Sequence, residues 1–338
     1  MAKINVAING MGRIGRTLLR QAFSNPNSSI NIVAVNNPGD PATYIHLIKY
    51  DSVHGKFQGD LSYKEGDNQF TINGQTVKFH AQKNPAEIPW SDDKVEIVID
   101  ATGRFKDKES LGLHKQGSVK KVVMCAPGKD LDGTFVMGVN DNTYDNSKHH
   151  IVSNASCTTN CLAPVAKVLH EEFGIEQGFM TTIHSYTSDQ NILDGSHSDL
   201  RRARAAAMSM IPTTTGAAKS VGLVIPELKG KLDGFSVRVP TPNVSMVDLN
   251  VVLSKDITID DVNKSLIKSS EGSLKGVLKT ESLPLVSEDY MGMSESSCID
   301  LSLTNVIDRM VKVVAWYDNE AGFSHRVLDL VSLMGQKL

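Results

Sequence analysis

Cys157 is the residue best placed to do chemistry. It lies in the stretch Ser153-Asn154-Ala155-Ser156-Cys157-Thr158-Thr159-Asn160-Cys161, after the apolar pair Ile151 and Val152. Beyond it Leu162, Val165, Val168, Leu169 and Phe173 recur with helical spacing, which puts the thiol at a strand-to-helix junction. Ser156, Thr158 and Thr159 are residue types that cap helix starts, and the unpaired N–H groups of a first turn attract negative charge. A thiol there is expected to be biased towards thiolate, and the same amides can hold an anion or an oxyanion. Pro164 is expected early in the helix, where its missing N–H is tolerated. Cys125, Cys161 and Cys298 read as buried small hydrophobes.

A cysteine nucleophile needs a base. His184 is the best candidate among the ten histidines, because it ends an apolar run at a polar edge. Thr187, Arg202, the run Thr213-Thr214-Thr215-Gly216, and Arg238 come after it; guanidinium forks with threonine hydroxyls suit phosphate oxygens. His149 and His150 read as surface residues, and no histidine–carboxylate pattern suggests a metal.

The second chemical signal is Asn9-Gly10-Met11-Gly12-Arg13-Ile14-Gly15-Arg16, between an apolar strand at 4–8 and the helical spacing of Leu18, Leu19, Ala22 and Phe23. This is the dinucleotide fingerprint in its required context. Gly10 permits the turn, Gly12 lets a pyrophosphate approach and Gly15 lets helix and strand pack closely. A second strand at 30–35 ends in Asn36-Asn37-Pro38, where such units usually place an acid against the ribose 2′-hydroxyl. Asn37 is neutral and would not repel a 2′-phosphate, though Asn-Asn-Pro is also ordinary turn chemistry. A redox dinucleotide beside an activated thiol points to aldehyde oxidation through a thioester.

These groups must be carried by elements of two kinds. A helix near 44–49, a hairpin around Asn73-Gly74 and apolar strands at 95–99, 122–124 and 135–139 alternate in the manner of a mainly parallel, doubly wound α/β sheet of Rossmann type. After the Cys157 helix, strand-like runs at 178–184, 235–239, 246–253 and 310–316, with a helix near 259–269, suggest a second, α+β domain on a mixed or antiparallel sheet. The segment 322–333 has helical spacing and is expected to pack back on the first domain. With 338 residues, 40% hydrophobic and 22% charged, the chain has room for two cores. A formal net charge of −3 offers no global attraction to nucleic acid or anionic membrane. No leader pattern, no membrane-length apolar run and four sparse cysteines suggest a cytoplasmic protein in a reducing compartment.

NGMGRIGR, KYDSVHG, SNASCTTNCLAP, TTIHSYTSDQ, DLRRARAAA, IPTTTGAAK, RVPTPNVSMVDL and WYDNEAGFSHR stand in this order along the whole chain, and with them it closely resembles the phosphorylating glyceraldehyde-3-phosphate dehydrogenases. The resemblance implies that Cys157 is the nucleophile and His184 its activator. It places the phosphate of the substrate, glyceraldehyde 3-phosphate, at Thr187 and Arg238. The attacking inorganic phosphate falls at Ser156, Thr158, Arg202, Thr215 and Gly216, and the product is 1,3-bisphosphoglycerate. Besides the glycines, the implied NAD(P) contacts are Arg13, Ile14, Asn37, Lys83, Cys125 and Asn319, the last facing the nicotinamide amide. It also implies a dinucleotide-binding domain of 1–156 plus 318–338, a catalytic domain of 157–317, and a homotetramer in which residues 185–199 lie across a neighbour's cofactor.

Four departures from the family pattern stand out. Asn37 replaces the usual NAD-selecting acid, and Gly195-Ser196 replaces a typical Leu-Pro, as in photosynthetic NADP-using members. Both favour NADP use, with Ser196 as a donor to the 2′-phosphate and NAD still acceptable. Cys125 stands for a more usual Ser or Thr, and Ala321 and Phe323 for bulkier or hydroxylated residues near Asn319. The rival readings are erythrose-4-phosphate dehydrogenase, whose strand-end segment differs from His184-Ser185-Tyr186-Thr187, a cysteine hydrolase, and a nucleic-acid or partner-binding protein.

Overall fold

A computed structural model describes residues 3–25 and 28–338. The chain forms two compact units, one of residues 1–135, 143–155 and 324–338, the other of 136–142 and 156–323.

The first unit is built on a nine-stranded sheet. Ile4–Asn9 lies at its centre, parallel to Ile30–Asn36 on one side and Ile97–Asp100 on the other. Lys121–Met124, Ile151–Ser153 and Gly133–Thr134 continue the parallel set beyond Ile97–Asp100. Gln75–His80 pairs parallel with Ile30–Asn36, and the hairpin partner Gln69–Ile72 and then Leu61–Ser62 close that edge antiparallel. Ile97–Asp100 and Lys121–Met124 are buried at every position, as strands covered on both faces require. The strand order reverses at Ile4–Asn9, and ligands of such sheets bind beyond the strand ends at this switch.

The run at 135–139, expected as a strand, is not one. Phe135 and Val136 are buried, but Gly138 takes φ 77° and the Val139 and Asn140 amides return to the Val136 carbonyl, so the backbone turns within the run.

The second unit has an eight-stranded mixed sheet in the order Ile211–Thr214, Leu232–Val239, Ile175–Ser185, Ser245–Leu253, Met310–Tyr317, Ser297–Asp300, Leu278–Glu281, with Asn305–Ile307 paired to Met310–Tyr317. Period-two alternation gives each long strand one buried face: in Ile175–Ser185, Met180, Thr182 and His184 are buried while Phe179 is 72% exposed. The helix Cys157–Phe173, buried on nearly all sides, packs on Ile175–Ser185, Ser245–Leu253 and Met310–Tyr317. Pro164 is its eighth residue, well inside it and not in the first turn, so the Asn160 carbonyl loses its usual i+4 amide donor.

Candidate active site

Ser156 caps the helix Cys157–Phe173, its hydroxyl accepting from the Thr159 amide at 3.0 Å. Cys157 is therefore the first helical residue, among amides without intrahelical partners. Its Sγ lies 3.5 Å from Nε2 of His184. His184 Nδ1 is 2.7 Å from the Ser185 carbonyl, which can only accept, so Nδ1 carries the proton and the Nε2 lone pair faces the thiol.

The expected thiolate bias is outweighed by burial. Burial pushes the Cys157 thiol up, against the pull of Arg238 and of the Thr158 hydroxyl and amide. Burial and then Arg238 push His184 down to about 3, in spite of the Ser185 carbonyl. The pair rests as thiol and neutral imidazole, with a base aimed at the S–H.

Sheet register explains why Arg238 is here. Ile175–Ser185 and Leu232–Val239 run parallel with His184 opposite Arg238. One terminal nitrogen of Arg238 lies 3.2 Å from His184 Nδ1, 3.2 Å from the Ser185 carbonyl and 3.4 Å from Thr187 Oγ1. Its Nε is buried with no partner among the described residues, an unusual cost that an anion at Thr187 and Arg238 would relieve. Replacing it by leucine (R238L) removes a cation that lowers the Cys157 pKa. The pH midpoint of iodoacetamide alkylation of Cys157 is then expected to move to higher pH, and an unmoved midpoint would contradict this electrostatic role.

Thr159 Oγ1 donates to the Ala217 carbonyl at 3.4 Å, which brings the first turns of Cys157–Phe173 and Ala217–Val224 together. Gly216 caps the second of these helices, and Thr215 Oγ1 accepts from the Ala217 amide. Ser156, Thr215 and Gly216 are thus neighbours, and the Thr158 hydroxyl lies 2.9 Å from that of Tyr317. Arg202 is not a bare cation. Asp189 holds one end of its fork, Thr213 Oγ1 accepts from Nε at 2.9 Å, and Asp199 stands 3.8 Å off.

Asn319 Oδ1 accepts from Ser185 at 2.9 Å and Ser245 at 2.8 Å, which fixes its amide and leaves Nδ2 as a donor. Tyr317 bonds Thr182 and sets its ring edge-on to His184 at 6.0 Å. Tyr317, Ser185, Ser245 and Asp189 are site residues that sequence reasoning misses. Thr182 carries a usable signal, two residues before His184 on one strand face.

In the first unit, Gly10 has φ 98° and a Cβ on Gly15 would sit 1.9 Å from the Gly10 carbonyl, so both positions require glycine. A Cβ on Gly12 would meet nothing within 4 Å, and no side chain caps the adjoining helix Arg13–Ser24. The turn, with open space at Gly12 beside a helix start, fits a pyrophosphate. Arg13 gives its fork to Asp51, at 2.8 and 3.1 Å, so its backbone and that of Ile14 are what the turn can offer. Asn37 Oδ1 accepts from the Met11 amide at 2.9 Å and Nδ2 donates to the Pro38 carbonyl, tying it to the same turn. Lys83 is exposed, and burial followed by Asp100 pushes the Cys125 thiol well up. Ser196 is exposed on the segment between Ile175–Ser185 and Ile211–Thr214. Among the described residues no cluster of His, Cys, Asp and Glu could hold a metal.

A doubly wound sheet with a glycine turn and, in the same chain, a thiol paired with a directed imidazole are the parts of a dinucleotide-dependent dehydrogenase that works through cysteine. Residues 4–108 match the family description "Glyceraldehyde 3-phosphate dehydrogenase, NAD binding domain" and residues 156–319 its "C-terminal domain". The chain is 55% identical to glyceraldehyde-3-phosphate dehydrogenase 2 of Trichormus variabilis and 55% identical to glyceraldehyde-3-phosphate dehydrogenase of Geobacillus stearothermophilus, in each case across 99% of both chains. It is 50% identical to the enzyme of that name from Mycolicibacterium smegmatis over the same shares. The chain belongs to the glyceraldehyde-3-phosphate dehydrogenase family, an oxidoreductase with a nicotinamide-dinucleotide domain.

Proposed function

We propose that the protein oxidises glyceraldehyde 3-phosphate with inorganic phosphate to 1,3-bisphosphoglycerate, through a thioester on Cys157. The observation that carries this reading is the 3.5 Å approach of Cys157 Sγ to a nitrogen whose lone pair is fixed by the Ser185 carbonyl. Arg238 and Thr187 hold the substrate phosphate. As sulfur bonds to the aldehyde carbon, the thiol proton passes through His184 Nε2 to the carbonyl oxygen, which becomes a hydroxyl. His184 Nε2 takes the hydroxyl proton as the carbon–sulfur bond becomes a thioester; a nicotinamide dinucleotide, when bound, would supply the hydride acceptor for this oxidation. A phosphate oxygen, held by the Ser156, Thr215 and Gly216 region with Arg202, attacks the acyl carbon. Sulfur leaves as the better leaving group and recovers its proton from His184. Asn319, with its amide fixed by two serines, donates to the nicotinamide carboxamide.

NADP is accepted on this reading, alone or together with NAD. Asn37 puts no carboxylate at the 2′-position, and Ser196 is a hydroxyl donor in a segment a neighbouring subunit can present. Steady-state reduction of NADP and NAD with glyceraldehyde 3-phosphate, with and without phosphate, tests activity and preference together. Comparable or better kcat/KM for NADP is expected, and a strong NAD preference would reject it. Erythrose 4-phosphate in the same assay should be the poorer substrate.

The protein is read as a homotetramer. Ile192, Leu193, Leu200, Met208 and Met210 are each more than 70% exposed on the segment that carries Ser196, a concentration that favours burial by another copy. Native mass spectrometry should show four chains, and a stable monomer would contradict it. Among the described residues no helix is long and apolar enough to cross a membrane, and all four cysteines are free, which supports a cytoplasmic setting.

A further inference from the structure

Beneath the glycine turn lies a buried polar cluster that the proposed chemistry does not use. Asn9, Asn36, Trp90, Asp100 and His114 are each at most 2% exposed. Asp100 sits at its centre. Oδ1 accepts from the Thr102 amide at 3.1 Å and the Thr102 hydroxyl at 2.7 Å. Oδ2 accepts from Asn9 Nδ2 at 2.8 Å and lies 3.2 Å from His114 Nε2. The indole of Trp90 donates to His114 Nδ1 at 3.1 Å, so Nδ1 has no proton and Nε2 must carry it towards Asp100. Trp90 thereby locks the tautomer that lets His114 serve the carboxylate. On the other side, Asn36 Nδ2 donates to Asn9 Oδ1 at 2.7 Å, and Asn36 Oδ1 accepts from the Gln82 amide at 2.9 Å.

The cluster joins the ends of three adjacent strands, Ile4–Asn9, Ile30–Asn36 and Ile97–Asp100; the Gly10 turn follows Asn9, Asn37 follows Asn36, and Gln82, bonded to Asn36, precedes Lys83. The backbone ties run the same way. Gly10 N–H donates to the Asn36 carbonyl and Cys125 N–H to the Asp100 carbonyl, at 2.8 and 2.9 Å. A Cβ on Gly10 would lie 2.8 Å from the Thr102 amide nitrogen, so a shift of the 100–102 turn is felt directly at the glycine.

We propose that Asp100 is a positioning residue for the dinucleotide, setting the Gly10 turn and its neighbouring segments through Asn9, Asn36 and Thr102, with His114 and Trp90 holding it in the acceptor state from behind. This rests on the reading of the first unit as the dinucleotide site. A carboxylate is required because four donors converge on it. In D100N one oxygen becomes an NH2 group and two donors lose their acceptor at a carboxyl that is 1% exposed.

The test uses the full-length enzyme with NADP and NAD. D100N should raise the KM and the dissociation constant for the preferred dinucleotide by about tenfold or more, with the KM for glyceraldehyde 3-phosphate and for phosphate within about twofold of wild type. W90F alone should raise the dinucleotide KM by less than D100N does, because His114 is then free to turn its proton away from Asp100. In the D100N/W90F double variant, His114 is free to move its proton to Nδ1 and accept from the new amide, so part of the dinucleotide affinity should return. A folded D100N enzyme with unchanged dinucleotide KM, or equal losses for all three substrates with no recovery on adding W90F, overturns the proposal. Should D100N not fold, H114Q decides: His114 is wholly buried behind Asp100, and an unchanged dinucleotide KM there overturns it equally. If wild type neither binds nor reduces NADP or NAD, the dinucleotide reading itself fails.

Discussion

The alanine variant C157A is expected to lose phosphorylating dehydrogenase activity by a factor on the order of 10⁴ or more. Without sulfur there is no atom to hold the acyl group between oxidation and attack by phosphate, and no nearby side chain replaces it. Cys161, one turn along the helix, is fully buried against Ser297 and the Ala315 carbonyl, and burial drives its thiol far up. Cys298 is also fully buried, with its thiol pushed up to about 12 by burial. Binding should survive, because the Arg238 and Thr187 pair and the glycine turn are untouched. Initial rates and dinucleotide titration of the same preparation separate the two effects. Residual activity within tenfold of wild type would remove Cys157 from the chemistry.

The second large effect is expected from His184→Asn, with kcat lower by about 10² to 10⁴ and the KM for glyceraldehyde 3-phosphate changed by less than about threefold. The size comes from the resting state. Cys157 is raised by burial and His184 lowered by burial and Arg238, so sulfur must lose its proton during attack to a base already in place. An asparagine amide can bond to sulfur but cannot take that proton. Iodoacetamide alkylation of Cys157 should slow in parallel. Loss of KM alone, with kcat intact, would make His184 a binding residue.

The parts of this site that are legible in sequence are those fixed by local chemistry. The glycine turn is legible because Gly10 and Gly15 admit no other side chain, and the thiol's place because Ser156 caps the helix that the apolar stripe of Leu162, Val165 and Leu169 announces. His184 is legible because it closes an apolar strand at a polar edge. Features decided by register and burial are not legible. Tyr317 reaches Thr158 and Thr182 from a strand more than a hundred residues away, and the Asp189 carboxylate on Arg202 is a product of how the 185–199 segment folds back. The expected thiolate bias fails for the same reason: helix amides and Arg238 are present as expected, but desolvation, which no local pattern reports, outweighs them. Residues 135–139 read as a strand by hydrophobicity alone, and Gly138 turns them.

The most direct test of the thioester is to trap it. Incubating the enzyme with glyceraldehyde 3-phosphate and its dinucleotide in phosphate-free buffer, then acid quench and peptide mass spectrometry, should show a 3-phosphoglyceroyl group on the peptide containing Cys157. Added phosphate should remove the adduct with release of 1,3-bisphosphoglycerate. Turnover with no adduct on Cys157, or an adduct on any other residue that phosphate discharges at the catalytic rate, would contradict the account.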